Sequence, residues 1–111
     1  MSDCLFCKLI SGQIPSRKVY EDAELLAFHD INPAARVHFL LIPKQHVASL
    51  LETDATHAAL LGKMLVLAPK LAQEQGLDNG FKTVINSGPG GGQLVYHLHM
   101  HILGGGNLSH V

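Results

Sequence analysis

Apolar positions along the chain change their period several times, and each change marks an element. Leu5 and Leu9, with Phe6 and Ile10, recur at helical spacing before Gly12, so Cys4 to Ser11 reads as a short helix. Lys18 to Glu21 and Glu24 to His29 read as two short strands joined by a tight turn near Asp22-Ala23. Asp30 to Arg36 contains Asn32-Pro33 and reads as a loop. Val37 to Pro43 is almost continuously apolar, which predicts a central strand. Thr53 to Gln75 is the one long helix. Thr53 or Asp54 can cap its start, Gly76 is placed to end it, and Pro69 should kink or interrupt its C-terminal third. Phe81 to Asn86 reads as a fourth strand, Ser87 to Gly92 as a glycine-rich loop, and Val95 to Leu103 as a fifth strand stopped by Gly104-Gly105-Gly106. Five strands with segregated helices predict an α+β fold. The sheet should be five-stranded and mostly antiparallel, with one short N-terminal helix and one long helix. No repeat or linker divides the chain, so residues 1–111 read as a single domain.

Composition narrows the functional classes. Apolar residues make up 47% of the 111 positions and charged residues 15%, which suits a globular protein. A domain of this size gains stability from a partner subunit. The net charge is -1 with no basic block, so no nucleic-acid partner is expected. Lys63, Pro69 and Lys70 break the longest apolar stretches, so no membrane span is expected. Met1-Ser2-Asp3-Cys4 lacks a basic segment followed by an apolar one, so no signal peptide is expected and a cytoplasmic location is the expectation. In a reducing compartment, Cys4 and Cys7 are metal ligands or a redox pair rather than a structural bridge.

The chain holds eight histidines, and three of them lie within five positions. His97, His99 and His101 alternate with Leu98, Met100 and Ile102. On a strand, side chains two apart share a face, so the three imidazoles should point one way. An amphipathic strand would account for the alternation without requiring histidine. Residues two apart are separated by about 6.5–7 Å, so His97 to His101 spans about 13 Å. Zinc–nitrogen bonds are about 2 Å, so neighbouring pairs such as His99 and His101 could share an ion but all three could not. The histidines should therefore divide between tasks. Ser87-Gly88-Pro89-Gly90-Gly91-Gly92-Gln93, with four glycines in seven residues, leads directly into this strand. Such a loop can turn backbone N–H groups toward an anion. A phosphate there would sit beside imidazole nitrogens, and a neutral imidazole can attack phosphorus. His99, flanked by the other two, is the expected nucleophile, passing through a covalent nucleotidyl-histidine that water releases.

His97-Leu98-His99-Met100-His101-Ile102-Leu103 resembles the histidine triad motif, and the wider pattern resembles the Hint branch of that superfamily, the purine nucleoside phosphoramidases. The match takes in Phe6, Ile14-Pro15, the run from Ala27 to Pro33, the run from His38 to Lys44, Asn86, Gly91-Gly92-Gln93, Val95-Tyr96 and Leu103-Gly104-Gly105. The resemblance implies a homodimer with one continuous sheet and a purine nucleoside monophosphate, such as AMP, in each subunit. It implies His99 as nucleophile with His101 and His38 near the phosphate. Asn86, Gly92 and Gln93 would line the phosphate, and Asp30 would hold the ribose hydroxyls. Leu5, Phe6, Leu9, Phe28 and Ile31 would wall the base pocket, where the residues by themselves read first as ordinary core. Two positions depart from the pattern. Leu94 stands where many members carry a phosphate-binding serine, and Gly106 where arginine or another polar residue is common.

Cys4-x-x-Cys7 by itself reads as a zinc half-site, free buried thiols or a redox pair. The resemblance to bacterial histidine triad proteins with this pair implies structural zinc on Cys4, Cys7, His46 and His97, and no organic cofactor. Of the other histidines, His29 is expected at a packed strand end, His57 on the solvent face of the long helix, and His110 in a tail. The expected activity is hydrolysis of the P–N bond of purine nucleoside 5′-phosphoramidates or of aminoacyl-adenylates. The alternatives are a dinucleoside polyphosphate hydrolase, a nucleotide-binding adapter with vestigial catalysis, and a zinc-dependent interaction protein.

Overall fold

In the computed structural model, which describes residues 4–106 and 108, five strands form one antiparallel sheet. Helix α1 spans Leu5–Ser11, and strands β1, β2 and β3 span Lys18–Glu21, Leu25–His29 and Val37–Pro43. Helix α2 spans Ala58–Glu74, and strands β4 and β5 span Lys82–Val84 and Met100–Gly104. The sheet order is β1-β2-β3-β5-β4, and every neighbouring pair is antiparallel. No helix among the described residues is long and apolar enough to cross a membrane.

The near-continuous apolar runs of β2 and β3 lie in the middle of the sheet, buried on both faces. Alternate residues serve two separate cores. Leu25, Ala27, Phe39, Leu41, Met100 and Ile102 face α2 and pack on Met64, Ala68, Leu71 and Ala72. Leu26, Phe28, Leu40 and Ile42 face α1 and pack on Phe6. Register places the chemistry on the α1 face. Leu40 pairs with His101 and His38 pairs with Leu103. His38 and His101 are therefore diagonal neighbours on the face that carries Phe28 and Leu40.

Several boundaries differ from the sequence expectation for local reasons. The long helix begins at Ala58 rather than Thr53, because short 3-10 turns at Leu50–Glu52 and Ala55–His57 precede it. Ser49 accepts from the Leu51 N–H and Asp54 from the Thr56 N–H, so each short turn starts at its own side-chain cap. His57 does not lie on the solvent face of α2; its Nδ1 accepts from the Asp54 N–H at 3.1 Å and closes a capping box. α2 runs uninterrupted through Pro69. Pro69 is exposed and so is Leu65, whose carbonyl loses its partner and can be met by water.

The largest change is in the histidine segment. β5 starts at Met100, not Val95, and residues 93–99 form no strand. The Leu98 N–H donates to the Val47 carbonyl at 2.7 Å instead of to a ladder partner. Buried Gln93 donates from Nε2 to the carbonyls of Ala48 (2.7 Å) and Val95 (3.0 Å). The segment is bound to residues 47–48, outside the sheet. His29 ends β2 as expected, and His110 lies outside the described residues.

Candidate active site

α1 and the α1-facing side of the sheet enclose a cavity of about 840 Å³. Leu5, Phe6, Leu9, Phe28 and Leu40 supply apolar wall, and Asp30, Asn86, Gly92, His99 and His101 supply polar groups. α1 reaches this position because its cap residues are well suited to it. Cys4 Sγ accepts from the Cys7 N–H at its start, and Gly12 closes it at φ 85°, a left-handed conformation suited to glycine. Phe6 then meets Phe28 edge to face at 5.4 Å and His99 at 5.2 Å between ring centres. Ile31 lines the same cavity but is 91% exposed, at its rim.

Backbone partners decide where each imidazole carries its proton. A carbonyl can only accept, so His99 Nδ1 donates to the His97 carbonyl at 2.7 Å. Neutral His99 then keeps a lone pair on Nε2. A backbone amide can only donate, so the Ala34 N–H donates to His38 Nδ1 at 3.0 Å and His38 carries its proton on Nε2. That N–H donates to His101 Nδ1 at 2.9 Å, which leaves the His101 proton on Nε2. His38 itself does not line the cavity; it stands behind His101 and Asp30.

The glycine-rich loop and Gln93 are placed differently from the reading of the sequence. The amides of Gly88, Gly91, Gly92 and Gln93 are all bonded inside the loop, to Gln93 Oε1, Gly88 O, Pro89 O and Gly88 O. The loop therefore closes on itself as a 3-10 turn and does not turn those four amides toward an anion. Gly92 and Asn86 still line the cavity, with Asn86 Nδ2 donating to the Gly91 carbonyl at 2.8 Å. Gln93 does not line it; all its side-chain polar atoms hold the loop. Conversely, the cavity includes Ser16, whose buried hydroxyl has no partner among the described residues, and Arg17, neither of which carried a signal in the sequence. They arrive through tertiary pairing, the His29 N–H donating to the Arg17 carbonyl at 2.9 Å.

Among the described residues, two groups of side chains have metal-ligand spacing, and their hydrogen bonds separate them. Cys4 Sγ, Cys7 Sγ, His46 Nδ1 and His97 Nδ1 lie within 4.8 Å of one another. His97 Nδ1 is 3.2 Å from His46 Nδ1, 3.3 Å from Cys4 Sγ and 3.6 Å from Cys7 Sγ. These match the edges of a tetrahedron, about 3.3–3.8 Å for ordinary zinc–nitrogen and zinc–sulfur bonds. His97 Nε2 donates to the Pro43 carbonyl at 2.7 Å, so its Nδ1 lone pair faces the cluster. Burial, with Cys4 beside it, pushes the Cys7 thiol up to about 11, so a thiolate there calls for a cation. This set fits a zinc ion. Asp30, His38 and His101 form the second group. It does not fit, because a neutral His38 ligating through Nε2 would need a proton on Nδ1, where the Ala34 N–H already points.

Comparison with known proteins identifies the family. The HIT domain model matches residues 11–108. The chain belongs to the HIT family. HitA of Neisseria gonorrhoeae is 54% identical over 104 residues, covering 94% of this chain and 97% of that protein. A 14 kDa zinc-binding protein of Brassica juncea is 47% identical, covering 96% of each chain. The crystal structure of a HIT family hydrolase from Legionella pneumophila Philadelphia 1 superposes with a TM-score of 0.93 at 46% identity, covering 96% of each chain.

In this HIT protein burial favours the neutral form of His29, His38 and His101. Burial, reinforced by His99 and His38 and opposed by Asp30, holds the His101 pKa at about 4 instead of 6.5. Burial lowers His38 and His29 in the same direction. Between pH 6.5 and 4 the unfolded chain therefore binds more protons than the folded one. The stability these groups contribute is complete above about pH 6.5 and is lost as pH falls toward 4. The urea midpoint should stay level from pH 8 to 7 and then fall between 6.5 and 4. In His101→Asn that fall should be shallower; an identical slope would remove His101 as a cause.

Proposed function

We propose that this HIT protein is a nucleotide hydrolase that cleaves the P–N bond of purine nucleoside 5′-phosphoramidates through a covalent nucleotidyl-His99. One observation carries the reading: the His97 carbonyl fixes the His99 proton on Nδ1 and leaves Nε2 free, in the wall of a cavity of nucleotide size. The naming of the similar Legionella protein as a HIT family hydrolase supports the reaction class.

In this reading the purine rests on Leu5, Phe6, Leu9, Phe28 and Ile31, and Asp30 accepts from the ribose hydroxyls. The phosphoryl group lies among His99, His101, Asn86 and Gly92. His99 Nε2 bonds to phosphorus, and the P–N electron pair leaves on nitrogen, which takes a proton from solvent and departs as an amine. Meanwhile the Nδ1–H bond to the His97 carbonyl supports the positive charge that His99 acquires. Neutral His101, positioned by His38, offers its Nε2–H to a phosphoryl oxygen. Water then attacks phosphorus, the His99 bond breaks with its pair returning to Nε2, and the water's proton goes to solvent. Leu94, 90% exposed at the cavity edge, offers the leaving group no polar contact.

Cys4, Cys7, His46 and His97 would hold zinc, as the Brassica relative's name also suggests. Four protein ligands leave no open position, so the ion would tie α1 to the segments that follow β3 and precede β5. We further read the protein as a homodimer. β4 is an edge strand, and Leu65 and Val66 of α2 are 58% and 77% exposed.

On a fluorogenic adenosine phosphoramidate, wild type should turn over, and His99→Ala should lose about 10⁴-fold or more while still binding AMP. Wild type as inert as His99→Ala would favour a nucleotide-binding adapter. Metal analysis should find one zinc per chain, and turnover should survive brief chelation. Cys7→Ser should lose the zinc and lower Tm by about 5–10 °C. Sedimentation should give twice the chain mass, and Val66→Glu should shift it toward one chain; a wild-type monomer would refute the dimer.

A further inference from the structure

We propose that Asp30 couples ribose occupancy to the hydrogen bond that His38 gives His101, so that the ribose hydroxyls act on kcat as well as on binding. This rests on the hydrolase reading above. His38 has a single N–H, because the Ala34 amide occupies Nδ1. Two acceptors face that N–H: His101 Nδ1 at 2.9 Å and Asp30 Oδ2 at 3.4 Å. A carboxylate is the stronger acceptor, and only its greater distance now favours the imidazole.

Asp30 cannot easily turn away. Its Oδ1 accepts from the Asn32 N–H at 2.8 Å, which leaves Oδ2 as the oxygen toward His38. Asp30 also lines the cavity, as does His101, whereas His38 lies behind both. One carboxylate therefore meets the substrate on one side and the partner of a catalytic imidazole on the other.

Ribose hydroxyls donating to Asp30 would weaken its pull on the His38 N–H. That N–H would then stay on His101 Nδ1 and keep the His101 proton on Nε2, on the cavity side. A nucleotide without those hydroxyls would leave Asp30 Oδ2 competing with His101 Nδ1 for the His38 N–H, as in the unliganded chain, and His101 would be held in its tautomer less firmly.

The test compares kcat and KM for an adenosine phosphoramidate and its 2′,3′-dideoxy counterpart. Wild type should show a kcat about tenfold lower for the dideoxy substrate, beyond any change in KM. In Asp30→Ala the two kcat values should converge. A dideoxy penalty confined to KM, or a kcat gap that persists in Asp30→Ala, would overturn the coupling. A second measurement needs no variant. In ¹⁵N-labelled wild type, the His38 Nε2–H resonance should differ between saturating AMP and saturating 2′,3′-dideoxy-AMP; identical positions would also overturn it. Absence of turnover with the ribose substrate would sink the hydrolase reading instead, and the resonance comparison would then decide the coupling alone.

Discussion

The structure depends on where main-chain groups place protons on buried imidazoles. His97 occupies the centre of that arrangement. Its ring donates to the Pro43 carbonyl and turns its other nitrogen to Cys4, Cys7 and His46. Its own carbonyl receives the His99 N–H. One residue thus joins the cysteine cluster to the free nitrogen in the cavity. The hydrogen bonds are short and buried, and exchanging either tautomer would place two acceptors, a ring lone pair and a carbonyl oxygen, face to face.

The sheet supplies the second half of the site by register. β3 and β5 pair so that His38 and His101 fall diagonally on one face, with Leu40 between the helix α1 core and the cavity. The opposite face of the same strands packs on α2 through Phe39, Leu41, Met100 and Ile102. A one-residue slip would exchange the two faces and put the imidazoles under α2. The large apolar commitment on the α2 side therefore protects the polar placement on the other.

The two candidate metal groups show why proximity alone is a poor guide. Both bring three or four ligand atoms within 4.8 Å. Only the cysteine cluster has a histidine whose remote nitrogen donates to a carbonyl, which frees the near nitrogen for a cation. At His38 an amide reverses the polarity and turns the same side chain into a donor toward its neighbours.

The order of elements and the central position of β2 and β3 were legible in the sequence. Apolar period and turn residues are local properties, and a stretch such as Val37 to Pro43 has few ways to bury itself. The apolar walls and the cysteine pair were legible through the resemblance of particular residues. The proton placements were not, since they depend on Ala34, Pro43 and the His97 carbonyl, whose amide and carbonyl groups every sequence contains. Nor was the route of residues 93–99, where bonds to Val47 and Ala48 outweigh a strand-like alternation. The tertiary structure alone decided that Gln93 braces a loop and that Ser16 and Arg17 reach the cavity, because contacts between distant segments are set by packing and register and leave no periodic trace.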